Sequence, residues 1–211
     1  MSENDRIGEI VKRLKQKYPD SECMLEYDTD PFKLLVMARL SAQCTDARVN
    51  IVAGGLFGRF KSLEDFAGAD LEELEKAIFS CGLYKTKARN IRDMCKMLIE
   101  DFNSEVPEKM EDLLKLPGIG RKIANLIRGD IFKKPAIVAD THCIRIANRL
   151  GLCDSADPYK VEMRLAEIIL PGESSDFCHR LVFFGRECCK ARKPECEKCL
   201  LRDLCAFGGA K

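Results

Sequence analysis

Four cysteines near the end of the chain, Cys189, Cys196, Cys199 and Cys205, follow the spacing C-x6-C-x2-C-x5-C. Thiolates are soft ligands, and four of them in one short basic stretch suit zinc or an iron–sulfur cluster. A structural zinc site with four cysteines is usually written as two C-x2-C pairs. Only one such pair is present, so the spacing leans toward a cluster. Cys188 competes with Cys189 for the first position. Cys23, Cys44, Cys81, Cys95, Cys143, Cys153 and Cys178 are scattered and read as small buried hydrophobes.

A second constellation lies in LPGIGRKIAN, Leu116–Asn125. Pro117, Gly118 and Gly120 mark a tight turn, and a helix follows. Its first positions are Arg121 and Lys122, although the positive end of a helix favours acidic side chains. Backbone N–H groups at Gly118 and Gly120 would form a site for a phosphate oxygen. A bound phosphate would draw in Arg121. Neighbouring positive charge and partial removal from water both disfavour an ammonium, which would leave Lys122 a nucleophilic amine suited to Schiff-base chemistry. The plainer alternative is one more phosphate contact. Further on, Asp140 opens THCIRIANRL, where capping a helix is its ordinary role. A carboxylate near Lys122 would also handle its proton and stabilise positive charge on a substrate. His142 and His179 are the only histidines, and His142 reads as structural.

The elements that must position these groups read as helices. Apolar residues recur at helical spacing in IGEIVKRLKQKY, PFKLLVMARLSAQ, VNIVAGGLFGRF, DLEELEKAIFSCG, KARNIRDMCKMLIEDF, MEDLLKL, the stretch after Gly120, THCIRIANRLG and PYKVEMRLAEIIL. Asp70 is placed to cap the LEELEKAI helix and Gly82 to close it. No hairpin signal separates alternating strands, and there is no internal repeat. The class is all-α, with helices of about 8 to 16 residues joined by short turns.

Length and charge bound the rest. A chain of 211 residues with 46% hydrophobic content can bury a core as one large or two small domains. No apolar run approaches the roughly 18 residues that span a bilayer, and MSENDRIGEI is too acidic for a signal peptide. A cytosolic (or nuclear) setting follows, where twelve cysteines point to metal ligation rather than disulfides. The net charge of +1 hides segregation. Lys115–Lys134 carries six basic residues against Asp130 alone, and His179–Arg202 carries seven against three acidic. Two such patches fit one anionic partner, or two solvated helical faces.

LPGIGRKIAN, then ADTHCIRIANR, then the cysteine ending resemble the endonuclease III family of helix–hairpin–helix, iron–sulfur DNA glycosylases. LSAQCTD (Leu40–Asp46) and CGLYKTKA (Cys81–Ala88) match two further family segments in the same order, and the likeness runs from about Phe32 to Cys205. Five ordered motifs carry what one alone would not. The resemblance implies two helical domains flanking a DNA-binding cleft. One would span residues 24–134 and end in the helix–hairpin–helix; the other would join 1–23 to 135–211, with a [4Fe–4S] cluster on the four cysteines. It implies a base flipped out of the duplex, Lys122 attacking the sugar C1′ with help from Asp140, and β-elimination 3′ to the lesion. Gln43 would fill the gap left by the flipped base, and Leu83 would wedge into the opposite strand. A polar helix residue and a core leucine are their plain readings. Ser41 and Asp46 would support the local backbone, and Lys190, Arg192 and Lys193 would meet phosphate on a loop shaped by the cluster.

The implied partner is double-stranded DNA with an oxidised or ring-saturated pyrimidine or an abasic site. It would be bound by a monomer that needs no membrane and, in a prokaryote, works in the cytoplasm on the nucleoid. Phe184, Cys143, Arg128 and Gly129 depart from the family pattern and bear on the base pocket. Two alternatives stand beside this reading. A non-catalytic iron–sulfur DNA-binding module would not need both Lys122 and Asp140. The adenine-mismatch branch lacks the lysine and usually carries an extra C-terminal domain.

Overall fold

The computed structural model describes residues 1–208, and these are all-helical: eleven α-helices, short 3-10 turns and no strand. The chain divides into two compact units, Cys23–Phe132 and the discontinuous pair Met1–Glu22 with Lys133–Lys211.

The continuous unit contains α2 (Pro31–Leu40), α3 (Asp46–Arg59), α4 (Leu63–Ala67), α5 (Leu71–Ile78), α6 (Tyr84–Asp101), α7 (Met110–Leu113) and α8 (Arg121–Asp130). Helix α2 starts on a favourable signal: the Asp30 carboxylate accepts from the backbone N–H of Phe32 and Lys33, and Pro31 follows. It is buried almost all round, through Leu34, Leu35, Val36, Met37, Ala38 and Leu40, so it forms the centre of this core. Helix α6 packs against α4 and α5, while α2 and α7 pack on α8. Phe66 joins the two sides of the core, its ring 5.4 Å from Phe32 and 5.2 Å from Phe60. Asp70 caps α5 by accepting from Glu73, and Gly82 (φ +66°) follows the 3-10 turn that closes it.

The discontinuous unit contains α1 (Glu3–Lys17), α9 (Thr141–Leu150), α10 (Pro158–Ile168) and α11 (Ser174–Glu187). Ile7, Ile10 and Leu14 of α1 lie at i, i+3, i+7 and are buried, and α1 packs on α11. Helix α11 packs also on α9, and Gly185 makes that approach possible. A methyl group there would stand 2.6 Å from the His142 ring and 2.8 Å from the Arg145 guanidinium. Helices α4 and α11 were not among the expected elements. In α11 residues bury on several sides, from Phe177 and Cys178 to Arg180, Leu181, Phe184 and Gly185, and no side chain caps its start. Helical spacing is blurred when more than one face is inside. Lengths also range from four to eighteen residues, wider than expected.

Candidate functional site

In the continuous unit the LPGIG turn holds its shape through two glycines of different character. Gly118 has φ +80°, a left-handed conformation that favours glycine, and its Cα faces Arg39 and Asn90 so closely that a Cβ would collide with both. Arg39 is itself fixed by donating twice to the Asn90 Oδ1, at 3.2 and 2.8 Å. Gly120 is the N-cap of α8 and supplies no side-chain cap, so the first turn opens on backbone N–H groups alone. Arg121 and Lys122 are the first two helical residues, as the sequence indicated. One expectation is corrected here. Lys122 is exposed, not partly out of water, because the second position of α8 points away from a buried face formed by Ala124, Asn125 and Ile127.

Four other segments of this unit carry left-handed backbone at residues other than glycine: Asp28–Thr29, Asn103–Ser104, and those of Gln43 and Leu83. Gln43 (φ +54°) and Leu83 (φ +47°) adopt left-handed conformations without being glycine. Both side chains are exposed; for Leu83 the exposure is 54%. The Gln43 loop is braced below by the Ser41 hydroxyl, which donates to the Ala38 carbonyl at 2.8 Å, and by Thr45, which caps α3. Leu83 precedes α6 as an uncapped N-cap residue, beside the Phe79–Tyr84 ring pair at 4.8 Å. Strain of this kind persists where the surroundings over-determine it, and it clusters at working sites.

In the discontinuous unit Asp140 caps α9. Its Oδ1 accepts from the Cys143 N–H at 2.7 Å, and Oδ2 lies 3.6 Å from His142 Nδ1. Cys143 is buried, and the hydrogen bond between its thiol and Cys178, followed by burial, pushes it above the ordinary thiol range. Phe184 is buried, and its carbonyl accepts from the backbone N–H of both Cys188 and Cys189 at 2.9 Å. Both side chains are buried within this unit, and Phe184 lines the cysteine cavity.

The cysteine loop is anchored by arginines that donate to its carbonyls. Arg149 reaches Lys190 and Ala191 at 2.7 and 2.9 Å, Arg145 reaches Cys189 at 3.1 Å, Arg6 reaches Leu204 at 3.0 Å and Arg13 reaches Leu200 at 2.9 Å. Cys189, Cys196, Cys199 and Cys205 line one small cavity with Cys188 and Phe207. Donors already face the sulfurs, from Arg149 Nη1 to Cys189 Sγ at 3.4 Å and from Leu201 N to Cys199 Sγ at 3.4 Å. Hydrogen bonds to sulfur and a shielded pocket are what an iron–sulfur cluster needs from its protein. The donor set therefore fits. Cys188 lines the same cavity and hydrogen-bonds to Cys199, with its thiol also toward the Glu195 carbonyl. Lys190 is paired to Glu195 at 2.5 Å, whereas Arg192 and Lys193 are exposed and Lys193 has φ +53°.

Residues 36–171 match the model of the HhH-GPD superfamily base excision DNA repair proteins, and residues 189–205 match the iron–sulfur binding domain of endonuclease III. Endonuclease III of Bacillus subtilis (strain 168) is 45% identical over 205 residues, 97% of this chain and 90% of that protein. Endonuclease III of Synechocystis sp. (strain PCC 6803) is 42% identical, over 97% and 93%. The chain belongs to the endonuclease III family. A solved structure of a trapped endonuclease III–DNA covalent intermediate superposes with a TM-score of 0.93, at 44% identity over 99% of this chain and 98% of that one. A DNA glycosylase with a [4Fe–4S] cluster is what this membership makes it.

Within the endonuclease III frame, sequence reasoning passed over Arg39, Lys87, Arg145 and Arg149. Lys87 is fully buried, and a signal for it was present: Lys87, Ile91, Met94 and Leu98 fall on one helical face. A cavity of about 860 Å³ lies beside α1 and the end of α10, among Ile7, Val11, Ile169 and Leu170, and contains none of the candidate residues. Among the described residues no helix is long and apolar enough to cross a membrane.

Proposed function

We propose that this chain excises oxidised or ring-saturated pyrimidines from duplex DNA and then cleaves the resulting abasic site. The carrying observation is Lys122, an exposed amine one residue inside a helix that begins without a side-chain cap behind a two-glycine turn. Phosphate oxygens accept from the N–H groups of that turn, so the backbone of DNA is held beside Lys122. Water is displaced by the bound duplex rather than by the protein alone, and the amine then attacks C1′. The C1′–N bond to the base breaks and the base leaves with the electron pair. The nitrogen lone pair then opens the sugar ring: the C1′–O4′ bond breaks, O4′ takes up a proton, and C1′ is left as a protonated Schiff base. Removal of a C2′ proton expels the 3′ phosphate and cuts the strand.

Asp140 is assigned to proton handling and to stabilising positive charge on the sugar. Gln43 and Leu83, exposed and strained, are assigned to the space vacated by the flipped base and to the opposite strand. Arg121, Arg192 and Lys193 are assigned to phosphate. Lys190 joins them only by exchanging its Glu195 partner. Cys189, Cys196, Cys199 and Cys205 are assigned as ligands of the cluster, which holds the loop between them in shape. The protein acts as a monomer. That a relative forms a covalent intermediate with DNA supports the Schiff-base step.

Borohydride trapping on an abasic duplex tests the assignment. Wild type should crosslink, and Lys122→Gln should not, with duplex affinity retained. A crosslink that survives Lys122→Gln refutes the assignment, and failure of wild-type holoenzyme to crosslink favours a non-catalytic binding module.

A further inference from the structure

Lys87 touches two segments that lie far apart in the sequence. Its ammonium donates to the carbonyl of Leu40 at 2.7 Å and to the carbonyl of Cys81 at 2.8 Å. Leu40 ends α2 and leads into the Gln43 loop; Cys81 leads into the turn that presents Leu83. The side chain is 0% exposed, and burial lowers its pKa from the ordinary lysine value. Among the described residues no carboxylate forms an ion pair with it. An unpaired buried charge is disfavoured in a core, and an aliphatic chain of the same volume would fill the space without that penalty. Stability alone therefore gives no reason for a lysine here.

What the ammonium does is geometric. Charge-assisted hydrogen bonds are short and directional, so two of them from one nitrogen fix the separation of the carbonyls they reach. Each carbonyl lies within three residues of a strained, exposed side chain, Gln43 at φ +54° and Leu83 at φ +47°. The thiols of Cys44 and Cys81 also hydrogen-bond beside it. Both connections join the same two segments. We propose that Lys87 is a positioning residue that locks the Gln43 loop to the Leu83 turn at one separation, so that both side chains enter a damaged duplex as a unit. This rests on the reading that Gln43 and Leu83 insert into DNA.

The test uses holoenzyme and a duplex carrying thymine glycol next to 2-aminopurine, whose fluorescence rises when its stacking neighbour leaves. Gln43→Ala and Leu83→Ala should each reduce the fluorescence rise and the single-turnover excision rate. Lys87→Met, checked for fold by cluster absorbance and melting, should reduce both by on the order of 10²-fold, the usual result of misplacing a site by about 1 Å. Adding Leu83→Ala to Lys87→Met should cost little more, because a coupled pair is not additive. Borohydride trapping on single-stranded abasic DNA, which has no opposite strand to wedge, should stay near wild type. Lys87→Gln, which keeps a neutral donor, should fall between, and it carries the test if Lys87→Met does not fold. Normal flipping by folded Lys87→Met alongside impaired Gln43→Ala and Leu83→Ala overturns the proposal while leaving the insertion reading intact. So does full additivity, or an equal loss on single-stranded DNA. Normal flipping by both Gln43→Ala and Leu83→Ala overturns the insertion reading itself, and the coupling with it.

Discussion

Replacing Gly118 by alanine measures how tightly the hairpin is built. At φ +80° a residue with a Cβ pays about 1–2 kcal/mol for the left-handed conformation. The new methyl group would also overlap the Arg39 guanidinium and stand 2.9 Å from both Arg39 Cδ and Asn90 Cγ. Neither partner can yield freely, because Arg39 and Asn90 hold each other by two hydrogen bonds. Overpacking of this kind adds about 1–3 kcal/mol. The total, about 2–5 kcal/mol, lowers the melting temperature by roughly 4–20 °C for a chain of this size. Circular dichroism melting reads it directly, with fluorescence anisotropy on an abasic duplex as a second measure. Gly120→Ala is the contrast: a Cβ there meets nothing within 4 Å. It should melt within about 1 kcal/mol of wild type, the range of an N-cap change, yet weaken DNA binding. Combining Gly118→Ala with Arg39→Ala should relieve the overlap and leave the backbone strain, so the pair should destabilise less than the sum. Equal melting of the Gly118 and Gly120 variants, or strict additivity with Arg39→Ala, would refute this account of the turn.

Three further expectations follow from other contacts. Asp140→Asn keeps a capping oxygen for the Cys143 N–H and should leave the melting temperature within about 2 °C, while excision falls by roughly 10²-fold; Asp140→Ala should also lose about 1 kcal/mol of stability. Glu173 is held below the usual carboxylate range by Lys15 first, then by Arg180, whose side chain is buried. A depressed carboxyl stabilises the fold above its unfolded pKa and loses that contribution as pH falls through the folded value. Glu173→Gln should therefore melt lower by about 1–3 kcal/mol at neutral pH, and the gap should close on acidification below about pH 4.5 in melting curves taken across that range. Cys189→Ser should lose iron and visible absorbance whereas Cys188→Ser should keep both, which iron analysis of the purified variants decides.

Much of the fold was legible because its signals are local. Asp30, Asp70 and Asp140 cap the helices they precede, and α1 shows its buried face as an unbroken apolar stripe. Helix α4 also announced itself, through the Ser62–Asp65 capping box, but five residues are too few for periodicity to register. Helix α11 was illegible for the opposite reason, having too many buried sides. At the candidate site, residue type and spacing singled out Lys122, Asp140 and the cysteines. They did not reach the left-handed backbone at Gln43 and Leu83, since neither residue type prefers it. Nor did they reach Lys87: its place on the Ile91–Met94–Leu98 face signals burial, but nothing local names the carbonyls it reaches.

Helix α1 binds almost to the far end of its own chain: Arg13 reaches the Leu200 carbonyl across 187 residues, and Arg6 reaches Leu204. On a ribosome adding about 5–20 residues per second, the first helix must therefore wait roughly 10–40 s for its partners to emerge. The continuous unit can finish folding inside that interval. Iron loading, which needs Cys205, waits longer still, so a nascent chain stopped before that residue would carry the lysine-bearing unit without its metal.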